Sequence, residues 1–394
     1  MLAFEPNEYP DLIELDSLQL RVIVDNEIDH MSAGPAYKSG QAQELYRDPR
    51  NRDPVKSKPG SGSCGCGDHD HGSDDTRVDT VAFDFEDLVV AGHGLSMLCI
   101  GVKDGKEHRV LFDTGPTPSL YRANARRLEV DHAKIEAIVL SHWHIDHSGG
   151  MLEAVKSCTE ARRHQPIDPV VVDLHPDRPD QRGACLKRPT PEDDRYEYVA
   201  WGADPTLHAL EKEGAKIALN DKAHTLCEGY FGVSGEIPRR TSYETGLPSH
   251  SRWFAAEGCW KDEQEIMDER YLVARVKDRG LVVLSGCSHA GIVNVCQDVH
   301  NAFKTPASSS SSSSSSEIKS NHIALVAGGF HLAGGHFEAR IPDTVRDLQE
   351  IGPELLAPGH CSGWKARAAC DDAMPGRVVS LGGGSVYTIA PFPK

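Results

Sequence analysis

The segment Ser141-His142-Trp143-His144-Ile145-Asp146-His147-Ser148-Gly149-Gly150 holds three histidines and one aspartate within six positions. Neutral imidazole with carboxylate is a ligand set suited to Zn²⁺ first and also to Fe or Mn, so these residues indicate a divalent metal without fixing its identity. In a tight loop after a strand, alternate residues point to one side, so His142 and His144 can converge on one ion. The turn through Asp146 and His147 aims at a second ion nearby. Four ligands in one loop cannot fill two metal shells, and the remaining donors are expected from other strand ends on the same side of the sheet. His289 and His360 are the expected donors, each following an apolar run. Cys287, two residues before His289, is either a thiolate joining the second metal or a small buried strand-end residue. His331 is open between a direct ligand, a substrate contact and a residue packed beneath the ligands. Asp113 either fixes a ligand histidine through its other ring nitrogen or forms a turn before Thr114-Gly115.

Chemistry follows from such a centre: a metal-activated water at cellular pH, with Asp146 orienting it or accepting its proton. That is hydrolysis of a small molecule: an ester, thioester, lactone, lactam or phosphoester. Arg239 and Arg240, on a loop bounded by glycine and proline, can fork onto a phosphate or carboxylate, or simply pair with Glu236 or Glu244.

These residues need strands to present them. Strands are expected at residues 19–25, 95–102, 109–112, 137–140, 280–284, 323–327 and 355–357, with a helix over 118–128. Most of these strands end at a candidate site residue. The polar stretch 175–230 has no clear conformation in the sequence and is expected to shape a pocket rim. Residues 31–80 are rich in Pro, Gly, Ser and Asp and read as a disordered insertion, as does the region 305–320 with its nine serines, Ser308 to Ser316. Within the first insertion, Cys64, Cys66, Asp68, His69 and His71 lack a second half to complete a site and read as solvated linker.

Composition bounds the partners. A formal charge of −17 over 394 residues disfavours nucleic acid. No apolar run is long enough to span a bilayer, and the amino terminus has neither the basic start nor the apolar run of a secretion signal. Eleven scattered cysteines do not form a disulfide framework and fit a reducing, cytoplasmic setting.

The loop 141–150 resembles the signature of the metallo-β-lactamase superfamily. The chain is similar, more narrowly, to the branch of 7,8-dihydropterin-6-yl-methyl-4-(β-D-ribofuranosyl)aminobenzene 5′-phosphate synthase-like proteins. The features are Val24-Asp25-Asn26, His93-Gly94-Leu95-Ser96, Leu111-Phe112-Asp113-Thr114-Gly115, Gly235-Glu236-Ile237-Pro238-Arg239, Asp268-Glu269, Ser285-Gly286-Cys287-Ser288-His289, Gly328-Gly329-Phe330-His331 and Pro358-Gly359-His360-Cys361. The resemblance implies an α/β fold, an αββα sandwich of two mixed sheets flanked by helices, forming a single domain over 1–394 with the metal cavity at one edge. It implies His142 and His144 on a first metal and Asp146 and His147 on a second. Cys287 falls where many members have a bridging aspartate. A pterin-related synthase, a noncatalytic metal-bound sensor and a phosphodiesterase or nuclease stand as alternatives to the hydrolase.

Overall fold

The computed structural model describes residues 7–29, 37–38, 85–191, 193, 195–304 and 320–391. In chain order its strands are β1 (Glu14–Leu15), β2 (Ser17–Val24), β3 (Tyr37–Lys38), β4 (Ser96–Lys103), β5 (Lys106–Phe112), β6 (Ile135–Val139), β7 (Val171–Leu174), β8 (Gln181–Lys187), β9 (Glu197–Ala200), β10 (Lys216–Leu219), β11 (His224–Leu226), β12 (Phe231–Val233), β13 (His250–Phe254), β14 (Cys259–Asp262), β15 (Tyr271–Val276), β16 (Gly280–Ser285), β17 (Ile323–Gly329), β18 (Leu355–Gly359) and β19 (Val386–Ile389). The helices are α1 (Pro118–Arg127), α2 (Ile145–Ser148), α3 (Met151–Arg162), α4 (Leu207–Lys212), α5 (Ile292–Ala302), α6 (Gly335–Glu338), α7 (Ile341–Ile351) and α8 (Trp364–Ala373).

Two sheets carry the architecture. One runs β11-β12-β15-β16-β17-β18 with β1 beside β15; the other runs β10-β7-β6-β5-β4-β2-β19-β3. Strand residues alternate between two apolar faces, as burial on both sides requires. On β4, Met97 and Cys99 join Leu272, Val282 and Leu325 of the opposite sheet in the layer between the sheets. Leu98 and Ile100 point the other way, onto Tyr121 of α1 and Met151 and Val155 of α3. On β16, Val282 and Leu284 face the middle layer, while Leu281 and Val283 pack with Val293 and Cys296 of α5 and Leu348 of α7. Helix, sheet, sheet, helix is the resulting order of layers, the αββα sandwich expected.

A third sheet, β14-β13-β8-β9, draws two of its strands, β8 and β9, from the stretch left without a conformation by the sequence. Most of the expected insertion 31–80 lies outside the described residues. Tyr37–Lys38 is a strand paired with β19, so the two residues belong to the sheet and not to a linker. The cysteine and histidine run at 64–71 and the serine run lie outside the described residues. Among the described residues no helix is long and apolar enough to cross a membrane.

Candidate metal centre

The site stands where strands end. The loop 141–150 follows β6, Asp113 follows β5, and Asp25 and Asn26 follow β2; in the other sheet Cys287 and His289 follow β16, His331 follows β17 and His360 follows β18. β5 and β6 are parallel, as are β16, β17 and β18, so their carboxyl ends share an edge. The backbone is tightly bent there: Asp113, Ser288, His331 and His360 all have positive φ, a conformation non-glycine residues adopt at a cost and which gathers at functional sites. Gly149 and Gly150 tuck the loop beneath Pro116 and Thr114, whose carbonyl oxygens would collide with any Cβ.

Two groups of donors result. His142, His144 and His289 form one, and Asp146, His147, Cys287 and His360 form the other, with their donor atoms within 4.8 Å of one another in each. In the second, His147 Nε2 lies 3.1 Å from Cys287 Sγ, Cys287 Sγ 3.3 Å from His360 Nε2, and Asp146 Oδ2 3.3 Å from His360 Nε2 and 3.6 Å from His147 Nε2. Donors about 2.0–2.3 Å from one tetrahedral ion stand roughly 3.3–3.8 Å apart. In the first, His144 Nδ1 is 2.9 Å from His142 Nε2 and 3.3 Å from His289 Nε2.

Hydrogen bonding sets the imidazole tautomers to match. Ser141 Oγ donates to Asp113 Oδ2 and so accepts from His142 Nδ1, leaving Nε2 bare. His147 Nδ1 donates to Asp113 Oδ2 at 2.6 Å, and His360 Nδ1 to Asn26 Oδ1 at 2.9 Å. His250 Nδ1 donates to the Glu263 carbonyl at 2.6 Å, so its Nε2 accepts from His144 Nε2 at 3.1 Å. His144 Nδ1 is then the bare nitrogen. Four rings thus carry their proton outward and turn a lone pair into the groups, the arrangement a cation requires. His289 Nδ1 is buried without a partner.

The electrostatics agree with the donor set. Burial, helped by neighbouring rings, keeps His142, His144 and His289 neutral, well below the usual imidazole pKa. Burial also opposes charge on His147, yet Asp146 and Asp113 override it and push its pKa up to about 9. Burial alone would raise Asp146, but His147 and His360 pull it well below the carboxylate range. The second group therefore sits in a negative field that stabilises positive charge.

Around the centre lies a cavity of about 940 Å³, lined among others by His93, His144, Asp146, Trp201, His331 and Trp364. His331 does not join either donor group; with Cys287 and Cys361 it forms a third cluster, and its ring lies 4.5 Å from that of His289. Arg239 and Arg240 do not line the cavity. Arg239 donates to the His289 and Glu265 carbonyls, and Arg240 Nη1 lies 3.9 Å from Asp298.

Several further residues position the site: Arg182 and His250 carry no sign in the sequence, and Asp25, Asn26, His93, Asp268 and Glu269 lie in segments that carry the family resemblance without a role being legible there. Asp268 Oδ2 accepts from Trp143 N–H at 2.7 Å, and Arg182 Nη1 donates to the Trp143 carbonyl at 2.9 Å, so the peptide between His142 and His144 is held at both ends. Glu269 accepts from His289 N and Ala290 N, and Asp25 accepts from His360 N. Asn26 Nδ2 donates to His93 Nδ1, which leaves His93 Nε2 protonated, 3.5 Å from Asp146.

A profile described as the metallo-beta-lactamase superfamily matches residues 95–207, the span that carries the loop and its supporting strands. Over this span the chain is similar to the metallo-β-lactamase superfamily. Within reach of that superfamily, the chain is 29% identical over 275 residues to the 7,8-dihydropterin-6-methyl-4-(beta-D-ribofuranosyl)-aminobenzene-5'-phosphate synthase of Methanocaldococcus jannaschii, covering 70% of this chain and 82% of that one. An uncharacterized protein of the same organism is 27% identical over 285 residues, 70% of this chain and 86% of its own. The crystal structure of a metal-dependent hydrolase of the beta-lactamase superfamily matches the metallo-β-lactamase fold seen here with a TM-score of 0.58 and 20% identity, over 95% of this chain and 99% of that one.

Proposed function

We propose that the chain is a metal-dependent hydrolase of a small molecule, with one divalent cation held by His142, His144 and His289 and a second by Asp146, His147, Cys287 and His360. The observation that supports this most is the convergence of these donors, with outward-protonated rings, on two adjacent points in the wall of one cavity. Zinc, iron or manganese suits the imidazoles and carboxylate, and the thiolate favours zinc. Bound there, the cations supply positive charge that polarises a carbonyl or phosphoryl oxygen and lowers the pKa of water.

The side chains of this chain do the rest. Asp146, at the cavity wall and kept ionised by two neighbouring imidazoles, orients the attacking water by accepting its hydrogen bond. His93, exposed at the mouth with its proton on Nε2, is placed to protonate a leaving group. Trp201 and Trp364 give the cavity apolar walls, and among the described lining residues there is no lysine or arginine. The substrate is therefore a small ester, thioester, lactone, lactam or phosphoester gripped by imidazole, aromatic and metal contacts. A nucleic acid would need a basic groove, which neither the cavity lining nor the net charge of −17 supplies.

A pterin-related synthase is the second reading, favoured by the 29% identity to the named synthase. One experiment separates them: metal content by elemental analysis of the full chain and its His144→Ala and His289→Ala variants, followed by assays of the five hydrolytic substrate classes and of pterin condensation. Bound metal that is reduced in both variants, with hydrolysis lost in step, supports the hydrolase. Metal with condensation and no hydrolysis supports the synthase, and metal with neither supports a binding protein. Folded protein that takes up no metal overturns all three.

A further inference from the structure

A second cluster of ligating side chains lies far from the cavity. His108 on β5, Glu136 on β6 and Cys227 in the turn between β11 and β12 bring their donor atoms within 4.8 Å of one another. Measured along β5, His108 is five residues before Asp113, about 17 Å at the rise of a strand, so this cluster shares nothing with the centre above.

Three features separate it from an ordinary ion pair. His108 is only 5% exposed, and its Nε2 is buried with no hydrogen-bond partner, an unfavourable state for a polar atom. Its other nitrogen, Nδ1, lies 2.8 Å from both carboxylate oxygens of Glu136, and the Tyr230 ring covers its face at 4.3 Å. The turn that delivers Cys227 has positive φ at three residues in succession, Cys227, Glu228 and Gly229, two of them not glycine. Glu228 Oε2 stands 3.8 Å from His108 Nε2, within reach as a further donor, although it also pairs with Lys106. The donors come from both sheets: β5 and β6 from one, the β11–β12 turn from the other.

We propose that His108, Glu136 and Cys227 form a structural divalent-metal site, with zinc the fitting ion, that clips the two sheets together at a distance from the catalytic cavity. Imidazole, carboxylate and thiolate are zinc's own ligand types, and the thiol gives up its proton to solvent as the ion binds. Such a site binds the folded chain and not the unfolded one, so it adds to stability by mass action.

The test uses zinc and cobalt alone as probes on the full chain, stripped of metal and reloaded. Cys227→Ser and His108→Asn are each expected to hold one equivalent of zinc fewer than the parent, while His144→Ala, which disturbs the cavity, keeps the equivalent that Cys227→Ser loses. Cobalt-loaded Cys227→Ser should lose part of the thiolate-to-cobalt charge-transfer absorption of the parent, the remainder coming from Cys287. Circular dichroism of the metal-free variants against the metal-free parent checks the fold; should His108→Asn not fold, Cys227→Ser and Glu136→Gln decide. Folded Cys227→Ser with the zinc content and cobalt spectrum of the parent overturns the site, and does so whatever becomes of the hydrolase reading.

Discussion

Replacing Arg182 with methionine should be among the most damaging single changes that leave every proposed ligand in place. Arg182 is 2% exposed. It makes two hydrogen bonds to Asp268, at 2.6 and 3.1 Å, two to Glu263, at 2.9 and 3.1 Å, and one to the Trp143 carbonyl. Glu263 keeps Arg252 at 3.3 Å and some solvent, so its loss is small. Among the described residues Asp268 has no other ion-pair partner, and it is fully buried. Burial opposes its charge, and only Arg182 and its neighbours hold its pKa below the usual range. Without the guanidinium the carboxyl can avoid the penalty of a lone buried charge only by taking up a proton. Keeping neutral a group of unfolded pKa about 3.9 costs ~4 kcal/mol at pH 7 but ~1.5 at pH 5, at 1.36 kcal/mol per unit. The larger figure falls within the roughly 3–5 kcal/mol known for removing one partner of a buried pair. The sign follows. In the parent, a depressed carboxylate pKa makes the stabilisation present above the unfolded value and lost as pH falls. In Arg182→Met the folded pKa is raised, so stability is lost as pH rises above about 3.9. Urea unfolding at pH 5 and pH 7 should therefore show the variant regaining ~2–3 kcal/mol at the lower pH, and Asp268→Asn added to it should recover part of the loss at pH 7. A cost below about 1 kcal/mol, as for an exposed pair, or one equal at both pH values, would refute the reasoning.

Three further outcomes are expected. His250→Phe fills similar space but cannot accept the His144 Nε2 proton, so His144 loses its fixed tautomer; zinc affinity measured against a competing chelator should fall about 10–100-fold. Unchanged affinity would show that the tautomer is set otherwise. Gly150→Ala drives a methyl into the Thr114 carbonyl oxygen, and since backbone must move to relieve it, a loss of about 1–3 kcal/mol together with reduced metal content is expected from denaturant unfolding and elemental analysis. His224 is held against charging by burial, but its 3.0 Å bond to Asp173 raises its pKa above the ordinary value; the stabilisation is complete below about pH 6.5 and declines as pH rises through the folded pKa, a slope that His224→Gln should flatten.

Much of this was legible because it is local. The apolar runs at 137–140, 280–284, 323–327 and 355–357 each became a strand, and the residues just past their ends became the site edge, since a parallel strand delivers its carboxyl end to the same side as its neighbour. The density of His142, His144, Asp146 and His147 needs no partner to be read. What the sequence hides is long range. His250 is 106 residues from the His144 ring that it touches, and Asp268 is 125 from the Trp143 peptide that it holds. A single histidine among polar residues carries no sign of its partner, and Asp268, though it lies in a segment that carries the resemblance, shows nothing in sequence of the peptide it holds. The paired arginines at 239 and 240 invited a phosphate, but backbone carbonyls and Asp298 occupy them. His93 and Asn26 stood within segments noted for resemblance, and only the fold shows that one amide orients both His93 and His360.

The third sheet ties these threads together. Arg182 and Ala184 lie two apart on β8 and share a face, since strand residues alternate, and His250 on β13 stands opposite Ala184 in the ladder. The paired strands β8 and β13 thus clamp the peptide between two proposed ligands, fix the proton of His144 and form part of the cavity wall with Ala184 and Trp201. Cavity shape and donor geometry are therefore not independent in this chain. A residue swapped on β8 or β13 to admit another substrate disturbs the strands that present Arg182 and His250, whereas Trp364, which lines the cavity from α8 and is 69% exposed, lies outside that sheet. Altered selectivity without weakened metal binding is to be sought on the Trp364 side of the cavity.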